Sequence, residues 1–259
     1  MRHPPLSVPM VAVAHGSRDP RAAATVAALL GAVRARRPDV PVHAAFLDHA
    51  PPAPGRVLDG LARDGADEAV VLPLLLTAAY HSKTDLPGVL NRVRARHPRL
   101  GLRTAGTLGP HPLLMAALEH RLADAGVEPG DPDTAVVLVS AGSSDAAANA
   151  TVARLAREWR SRGWRDVVPA YASAAGPKPG EAVAALLGAG APRVALASYF
   201  LAPGHFADKV RAEAVAAGAA AVSPVLGAAP QVADLIVRRY AEALRTGRAA
   251  SAGRRGDGR

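Results

Sequence analysis

The chain has 259 residues, a formal charge of +9 and no cysteine. This length suffices for one large domain or for two smaller domains that each bury a core. The lack of thiols excludes disulfides, thiolate metal sites and a cysteine nucleophile, so metal ligands must be imidazoles or carboxylates. Aromatic residues make up only 3% of the chain and do not form a basic, aromatic stripe, so we expect no nucleic-acid partner. Because the sequence shows neither an export signal nor an apolar run long enough for a bilayer, we expect a cytoplasmic protein without membrane contact.

Apolar runs alternate with amphipathic stretches along the first half of the chain. Asp19 and Pro20 are typical of a helix start, with the aspartate as N-cap and the proline in the first helical position. Nearly continuous apolar strands followed by helices indicate a parallel sheet covered on both faces. The predicted strands lie near 8–14, 40–47, 68–76 and 101–106, and the predicted helices near 20–36, 54–64, 85–96 and 111–125.

The second half of the chain repeats the pattern of the first. Residues 136–145 repeat residues 10–19 at an offset of 126, and residues 194–205 repeat residues 70–81 at an offset of 124. Two similar offsets with the same order of elements indicate an internal duplication. We therefore predict two similar α/β lobes with a cleft between them. The predicted divisions are a first lobe over 1–128 that carries a metal site, a duplicated lobe over 133–245, and a disordered basic tail over 246–259.

Two histidines each end an apolar run of the first half. His15 follows the first run and His81 follows the third. Because the carboxyl ends of parallel strands meet at one edge of a sheet, where such folds bind ligands, we expect both imidazoles at that edge. Asp48 follows the second run and is expected there too. The three residues and their counterparts in the second half are His15 and Ala141, Asp48 and about Ala174, and His81 and His205. A complete polar set is thus found only in the first half, which favours a functional site over a structural role.

These residues stand in a recognisable series of motifs. The series comprises residues 15–19 (His-Gly-Ser-Arg-Asp), 46–48 (Phe-Leu-Asp), 73–76 (Pro-Leu-Leu-Leu) and 80–87 (Tyr-His-Ser-Lys-Thr-Asp-Leu-Pro). It resembles the sirohydrochlorin chelatases, class II tetrapyrrole chelatases of the CbiX/SirB type, over about residues 8–245. The spacings of 33 from His15 to Asp48 and of 66 from His15 to His81 fit that family's metal-site pattern.

The resemblance implies an α/β fold of two flavodoxin-like, chelatase-like lobes, each a parallel sheet flanked by helices, that face each other across a cleft. It implies a lyase that inserts Fe²⁺ or Co²⁺ into sirohydrochlorin without ATP, for sirohaem or cobalamin biosynthesis. His15 and His81 would hold the metal and take part in removing pyrrole protons, and Asp48 would be the assisting carboxylate. Many relatives have glutamate at the position of Asp48, and the aspartate side chain is one methylene shorter.

The expected ligands of this site are the tetrapyrrole and the ion. Imidazole and carboxylate ligands admit Fe²⁺, Co²⁺ and Ni²⁺, and no cofactor beyond this metal substrate is expected. Sirohydrochlorin carries many carboxylates, which basic side chains beside the histidines can bind. The predicted substrate-binding residues are Ser17, Arg18, Lys83 and His205.

Other interpretations stay open. A metal-binding protein or metallochaperone for Co²⁺ or Ni²⁺ could use the same histidines without catalysis. A histidine phosphatase is disfavoured because Ala14 stands where arginine is usual, and a nucleotide-binding protein is disfavoured because the glycine-rich phosphate loops are absent. His49 is interpreted either as a cleft residue or as simply exposed, and the exposed position is favoured. The remaining histidines, predicted to lie at the surface or in packing, are His3, His43, His97, His111 and His120.

Overall fold

The computed structural model describes residues 7–77 and 85–253, with side chains as far as residue 246. The elements of the first half are β1 (Met10–Ala14), α1 (Pro20–Arg36), β2 (Val42–Phe46), α2 (Pro54–Arg63), β3 (Glu68–Pro73), α3 (Leu86–Arg96), β4 (Gly101–Thr104) and α4 (Pro112–Asp124). The elements of the second half are β5 (Thr134–Ser140), α5 (Ala146–Arg160), β6 (Asp166–Tyr171), α6 (Pro179–Gly188), β7 (Arg193–Ser198), α7 (His205–Ala216), β8 (Ala221–Val222) and α8 (Pro230–Gly253).

The strands of the described residues form two parallel sheets with the same topology. Their orders are β2-β1-β3-β4 and β6-β5-β7-β8. Each order matches the first four positions of the flavodoxin-like arrangement. The predicted fold class and the internal duplication are thereby confirmed.

The predicted elements of the first half are all present, with small differences at their ends. Asp19 is the N-cap of α1, and its Oδ1 accepts a hydrogen bond from the Arg21 amide at 2.9 Å. β3 ends at Pro73 rather than near residue 76. The proline has no amide hydrogen to extend the ladder, which accounts for the earlier end.

The side chains of the two sheets form three apolar clusters in five layers. Strand residues alternate between faces, so Val11 and Val13 point toward α2 and α3, whereas Met10 and Ala12 point toward the centre. In the same way α6 and α7 cover the outer face of the second sheet. The central cluster contains residues of both sheets and of the four helices α1, α4, α5 and α8. The two halves therefore share one core.

The last helix of each half packs against the other half. α8 packs against α1, β3 and β4 of the first half, while α4 packs against β7 and also against α8. The exchange is fixed by hydrogen bonds: Arg103 Nη1 donates to the Leu244 carbonyl at 2.7 Å, and Arg121 Nη2 donates to the Leu226 carbonyl at 3.0 Å. The sequence-based boundaries thus separate the strands of the two sheets, but they cut through the packing units.

Helix α8 continues beyond the predicted end of the second lobe. It reaches Gly253, so residues 246–253 are helical where a disordered tail was predicted. Alanine is the strongest helix former, and the alanines of this segment favour continuation of the helix. Residues 254–259 of the predicted tail lie outside the described residues. Within the described ranges no helix, α8 included, is long and apolar enough to cross a membrane.

Candidate functional site at the carboxyl edge of the first sheet

The ends of β1 and β2 bring His15 and Asp48 together. Ala14 and Phe46 are register partners, and the Asp48 amide donates a hydrogen bond to the His15 carbonyl at 2.9 Å. Gly16 permits this approach, because a Cβ there would lie 1.8 Å from the Asp48 carbonyl oxygen and its φ is +97°. Only glycine adopts this conformation at no steric cost.

His15 opens onto a cavity at the start of α3. The strand alternation that points Val11 and Val13 outward also directs residue 15 toward the α3 side. The cavity has a volume of about 360 Å³. Its described lining consists of His15, Leu47, Asp48, Asp85, Gly88, Val89 and Arg92. An ion or ligand group entering here meets an imidazole, carboxylates and a guanidinium.

The Asp48 carboxylate is directed toward His49. Its Oδ1 accepts the His49 amide at 2.8 Å, and its Oδ2 lies 3.3 Å from His49 Nε2. The His49 ring in turn lies beside that of His15, with ring centroids 6.5 Å apart and planes inclined by 20°. The sequence left His49 open between a cleft residue and an exposed one; it is exposed, and it lies beside His15. Its place directly after Asp48 was the one signal available.

The described histidine and carboxylate side chains of this edge do not surround a common metal position. Across the side chains described within 7–77 and 85–246, no group of three is arranged to hold a metal ion as it stands. His81 and Lys83, predicted as metal ligand and substrate-binding residue, lie outside the described residues. Thr77 and Asp85 flank that segment.

Ser17 has a structural role at the start of α1. Its Oγ accepts the Asp19 amide at 3.0 Å, and Ser143 makes the same bond with the Asp145 amide at 3.0 Å in the second lobe. Arg18 is exposed and makes no hydrogen bond or ion pair with another residue in the part of the chain described here. Its guanidinium is therefore available to an anionic ligand.

His205 reaches this edge from the second lobe. It is the first residue of α7 and is exposed, and a Cβ on the preceding Gly204 would lie 3.8 Å from Ser17 Oγ. One turn later, Arg21 Nη2 of α1 lies 2.5 Å from Asp208 Oδ2 of α7. Hydrogen bonds from the Arg21 side chain also hold the pKa of Asp19 below its usual range. The start of α7 is thus joined to the loop that carries His15.

The equivalent edge of the second lobe keeps the backbone but has neither the imidazole nor the carboxylate. The Ser173 amide donates to the Ala141 carbonyl at 2.9 Å, as Asp48 does to His15. The counterpart of Asp48 is therefore Ser173, not Ala174 as predicted from a constant offset. The second lobe is one residue shorter between these segments, which shifts the alignment. His15 and Asp48 are thus replaced by alanine and serine.

A second cavity lies where the two lobes meet. It has a volume of about 360 Å³. It is lined by Leu76 and Thr77 of the first half and by Ser140, Ala141, Gly142, Ser143, Ser144, Ala148, Asn149, Val152, Ala174 and Tyr199 of the second. Tyr199 Oη donates to the Leu76 carbonyl at 3.2 Å, and burial raises the pKa of this phenol, so it remains a donor at neutral pH. Leu76 is thereby held against the second lobe just before the segment that contains His81.

Comparison with known proteins identifies similar chains over both lobes. The family model CbiX matches residues 9–125 and 135–243. The sirohydrochlorin ferrochelatase of Bacillus subtilis is 32% identical over 167 residues, which is 64% of this chain and 63% of that protein. The sirohydrochlorin cobaltochelatase of Priestia megaterium is 28% identical over 163 residues, which is 62% of this chain and 53% of that protein.

A solved structure agrees with these matches. SirB from Bacillus subtilis with Fe³⁺ superposes with a TM-score of 0.78 at 27% identity, covering 90% of this chain and 94% of that one. The sequence alignments, by contrast, span less than two thirds of the length of either curated relative.

Proposed function

Because this chain belongs to the CbiX family, we propose that it is a chelatase that inserts a divalent metal ion into sirohydrochlorin without ATP. The proposal is supported by two relatives, one named a sirohydrochlorin ferrochelatase and one a sirohydrochlorin cobaltochelatase. Insertion replaces two pyrrole protons by one M²⁺ ion, so the protein needs weak metal ligands and proton acceptors at the same place.

The observation that carries this proposal is the pairing of His15 with Asp48 in the first lobe alone. A backbone hydrogen bond of 2.9 Å joins the two residues at the edge of the sheet, and the same bond in the second lobe joins Ala141 to Ser173. A purely structural role would be served equally well by either pair. The imidazole and the carboxylate therefore indicate chemistry at the first edge.

The side chains assigned to this edge suit both parts of the reaction. Imidazole and carboxylate bind Fe²⁺, Co²⁺ and Ni²⁺ less tightly than thiolates would, and so they can release the ion to the macrocycle. A neutral imidazole also accepts protons near neutral pH. We assign metal binding and removal of pyrrole protons to His15 and His81, and an assisting carboxylate role to Asp48.

The anionic tetrapyrrole is assigned to the space beside these ligands. Arg18 offers an exposed guanidinium, and His205 approaches the same loop from the second lobe. We assign substrate contacts to Arg18, Ser17, Lys83 and His205, and we expect no cofactor beyond the metal substrate. The product would be sirohaem with iron, or the cobalt precursor of cobalamin with cobalt.

The decisive measurement is the absorption spectrum of sirohydrochlorin mixed with the pure protein and Fe²⁺, Co²⁺ or Ni²⁺ in separate experiments. We expect acceleration of metal insertion that His15→Ala and His81→Ala largely abolish and that His205→Ala only weakens. Equal loss in all three variants would contradict the assignment of the site to the first lobe. A protein that binds Co²⁺ or Ni²⁺ without changing the spectrum would be a metal carrier, and the chelatase proposal would fail.

A further inference from the structure

The turn that follows β2 has the same backbone in both lobes but different side chains. His49 has a φ of +62° and Ala174 has a φ of +56°. In each turn the next amide donates back over two residues at 2.7 Å, from Ala50 to Asp48 and from Ala175 to Ser173. Since alanine occupies this turn in the second lobe, the turn does not require an imidazole. His49 is therefore a third side chain, with His15 and Asp48, that offers an imidazole or a carboxylate where the second lobe offers neither.

The His49 imidazole and the Asp48 carboxylate face each other at close range. His49 Nε2 lies 3.3 Å from Asp48 Oδ2. The chain contains another such pair, in which His97 Nε2 lies 3.0 Å from Asp59 Oδ1. Hydrogen bonds from nitrogen to oxygen are normally no longer than about 3.2 Å. The two pairs have similar lengths, and what sets the His49 pair apart is its place beside the His15 ring.

The separation of the His49 pair also fits two ligands of a single metal ion. Ligands bonded to one ion at about 2.1 Å stand roughly 3.0 Å apart in octahedral and about 3.4 Å apart in tetrahedral geometry. The Asp48 and His49 atoms are 3.3 Å apart and thus fall within this range. The side chains are 63% and 35% exposed, respectively, so an ion can reach them from solvent.

We infer that His49 is a further metal ligand of this edge, and that Asp48 and His49 form a two-ligand pair that receives the divalent ion beside His15. The backbone already holds the pair, because Asp48 Oδ1 accepts the His49 amide at 2.8 Å. The ring of His15, whose centroid is 6.5 Å from that of His49, is the next imidazole along the edge. The Asp48 side chain is one methylene shorter than the glutamate that many relatives have at this position. The His49 imidazole would add a nitrogen ligand that compensates for this shorter reach toward the ion. The inference rests on the proposed function only for the destination of the ion, and not for its binding.

Titration of the full chain with Co²⁺ alone tests this inference. We would follow the visible Co²⁺ absorption bands, which change when a nitrogen ligand is lost, and measure Kd by calorimetry. His49→Ala should raise the Kd for Co²⁺ by at least about tenfold and change the bands. The matched control His97→Ala removes the imidazole of another Asp–His pair, far from this edge, and should leave Kd within about twofold of wild type.

A second variant at His49 distinguishes the loss of a metal ligand from a change in the backbone of the turn. Ala174 shows that this turn accepts alanine, and asparagine tolerates positive φ better than most residues. Both His49→Ala and His49→Asn should therefore keep the wild-type circular dichroism and Tm. Wild-type Co²⁺ affinity in either variant, an equal loss in His97→Ala, or no Co²⁺ binding by the wild type would overturn the inference.

The outcome is distinguishable from that of the proposed function. If the wild type binds Co²⁺ through His49 but does not alter the spectrum of sirohydrochlorin, the inference stands and the chelatase proposal fails. If the wild type inserts metal while His49→Ala keeps both the Co²⁺ Kd and the KM for metal, the chelatase proposal stands and the inference fails.

Discussion

The turn after β1 has a common backbone in the two lobes, but only one copy carries an imidazole. Gly16 and Gly142 both have positive φ, and in each case a Cβ would collide with a carbonyl oxygen of the neighbouring turn. The residues that precede these glycines differ, with His15 in one lobe and Ala141 in the other. At the scale of the residue, the two edges therefore differ in the side chains that a repeated backbone presents, and not in the local fold.

Substrate binding by Arg18 can be tested against another exposed arginine. Arg18→Ala should raise the KM for sirohydrochlorin by several-fold with little change in the KM for metal, because a charge-assisted contact to a carboxylate is lost. Lys83→Ala is expected to act in the same direction. Steady-state kinetics with varied sirohydrochlorin measures the effect. Arg99→Ala, which removes an exposed arginine before β4 at the opposite edge of the sheet, is the control and should leave the KM unchanged. Unchanged kinetics in Arg18→Ala would refute this assignment.

The proximity of His15 and Asp48 could be predicted from the sequence, whereas the direction of the His49 side chain could not. Parallel strands end at one edge, so residues that follow two predicted strands are expected to be neighbours. The direction of the next side chain depends on the left-handed turn at His49, and no glycine or asparagine in the sequence marks that turn. The error at Ala174 has a similar cause, since one missing residue between the halves is invisible to a constant offset.

The helices and strands position the site through the loops that follow the strands. Apolar periodicity and the Asp19–Pro20 cap predicted α1 closely, because its buried residues Val26, Leu29, Leu30 and Val33 recur at helical spacing. Element ends were less predictable where a proline interrupts the ladder, as in β3. The loops themselves depend on single positions, of which Gly16 is the clearest.

A pair of glycine substitutions separates stability from function. Gly16→Ala and Gly142→Ala each place a Cβ at about 2 Å from a carbonyl oxygen, namely 1.8 Å from that of Asp48 and 2.1 Å from that of Ser173. Both should lower the free energy of unfolding, by about 1–3 kcal/mol. Only Gly16→Ala should also weaken Co²⁺ binding, because it separates His15 from Asp48. Urea unfolding and Co²⁺ titration measure the two effects, and equal Co²⁺ affinity in both variants would contradict the expectation.

The whole molecule is organised around a core that belongs to both halves. The central cluster contains residues of both sheets, and α4 and α8 each cover the sheet of the other half. The duplication could be predicted from the sequence because the strand motifs repeat. The exchange of helices could not be predicted, because the apolar face of an amphipathic helix can pack against either of two similar sheets.

One substitution in α8 tests whether the halves unfold together. Ile236 is fully buried in the central cluster, so Ile236→Ala should lower the free energy of unfolding by about 2–5 kcal/mol. The two tryptophans of the chain, Trp159 and Trp164, lie in the second half and report on it by fluorescence. We expect fluorescence and circular dichroism to show one coincident transition that shifts in the variant. Val215→Ala, at an exposed position of α7, should change the stability by less than about 0.5 kcal/mol. Two separate transitions would argue against the shared core.

The exchanged helices also change what the linker between the halves does. Residues 125–133 join α4 to β5, yet the first sheet is covered by a helix that the chain supplies only after the second sheet. Neither half covers its own sheet completely, so each half needs a helix of the other half to bury its core. The linker then acts as a tether that raises the effective concentration of each half for the other. The molecule thus resembles a dimer whose two subunits are joined in one chain. The two halves have diverged, and only the first has the imidazole of His15 and the carboxylate of Asp48.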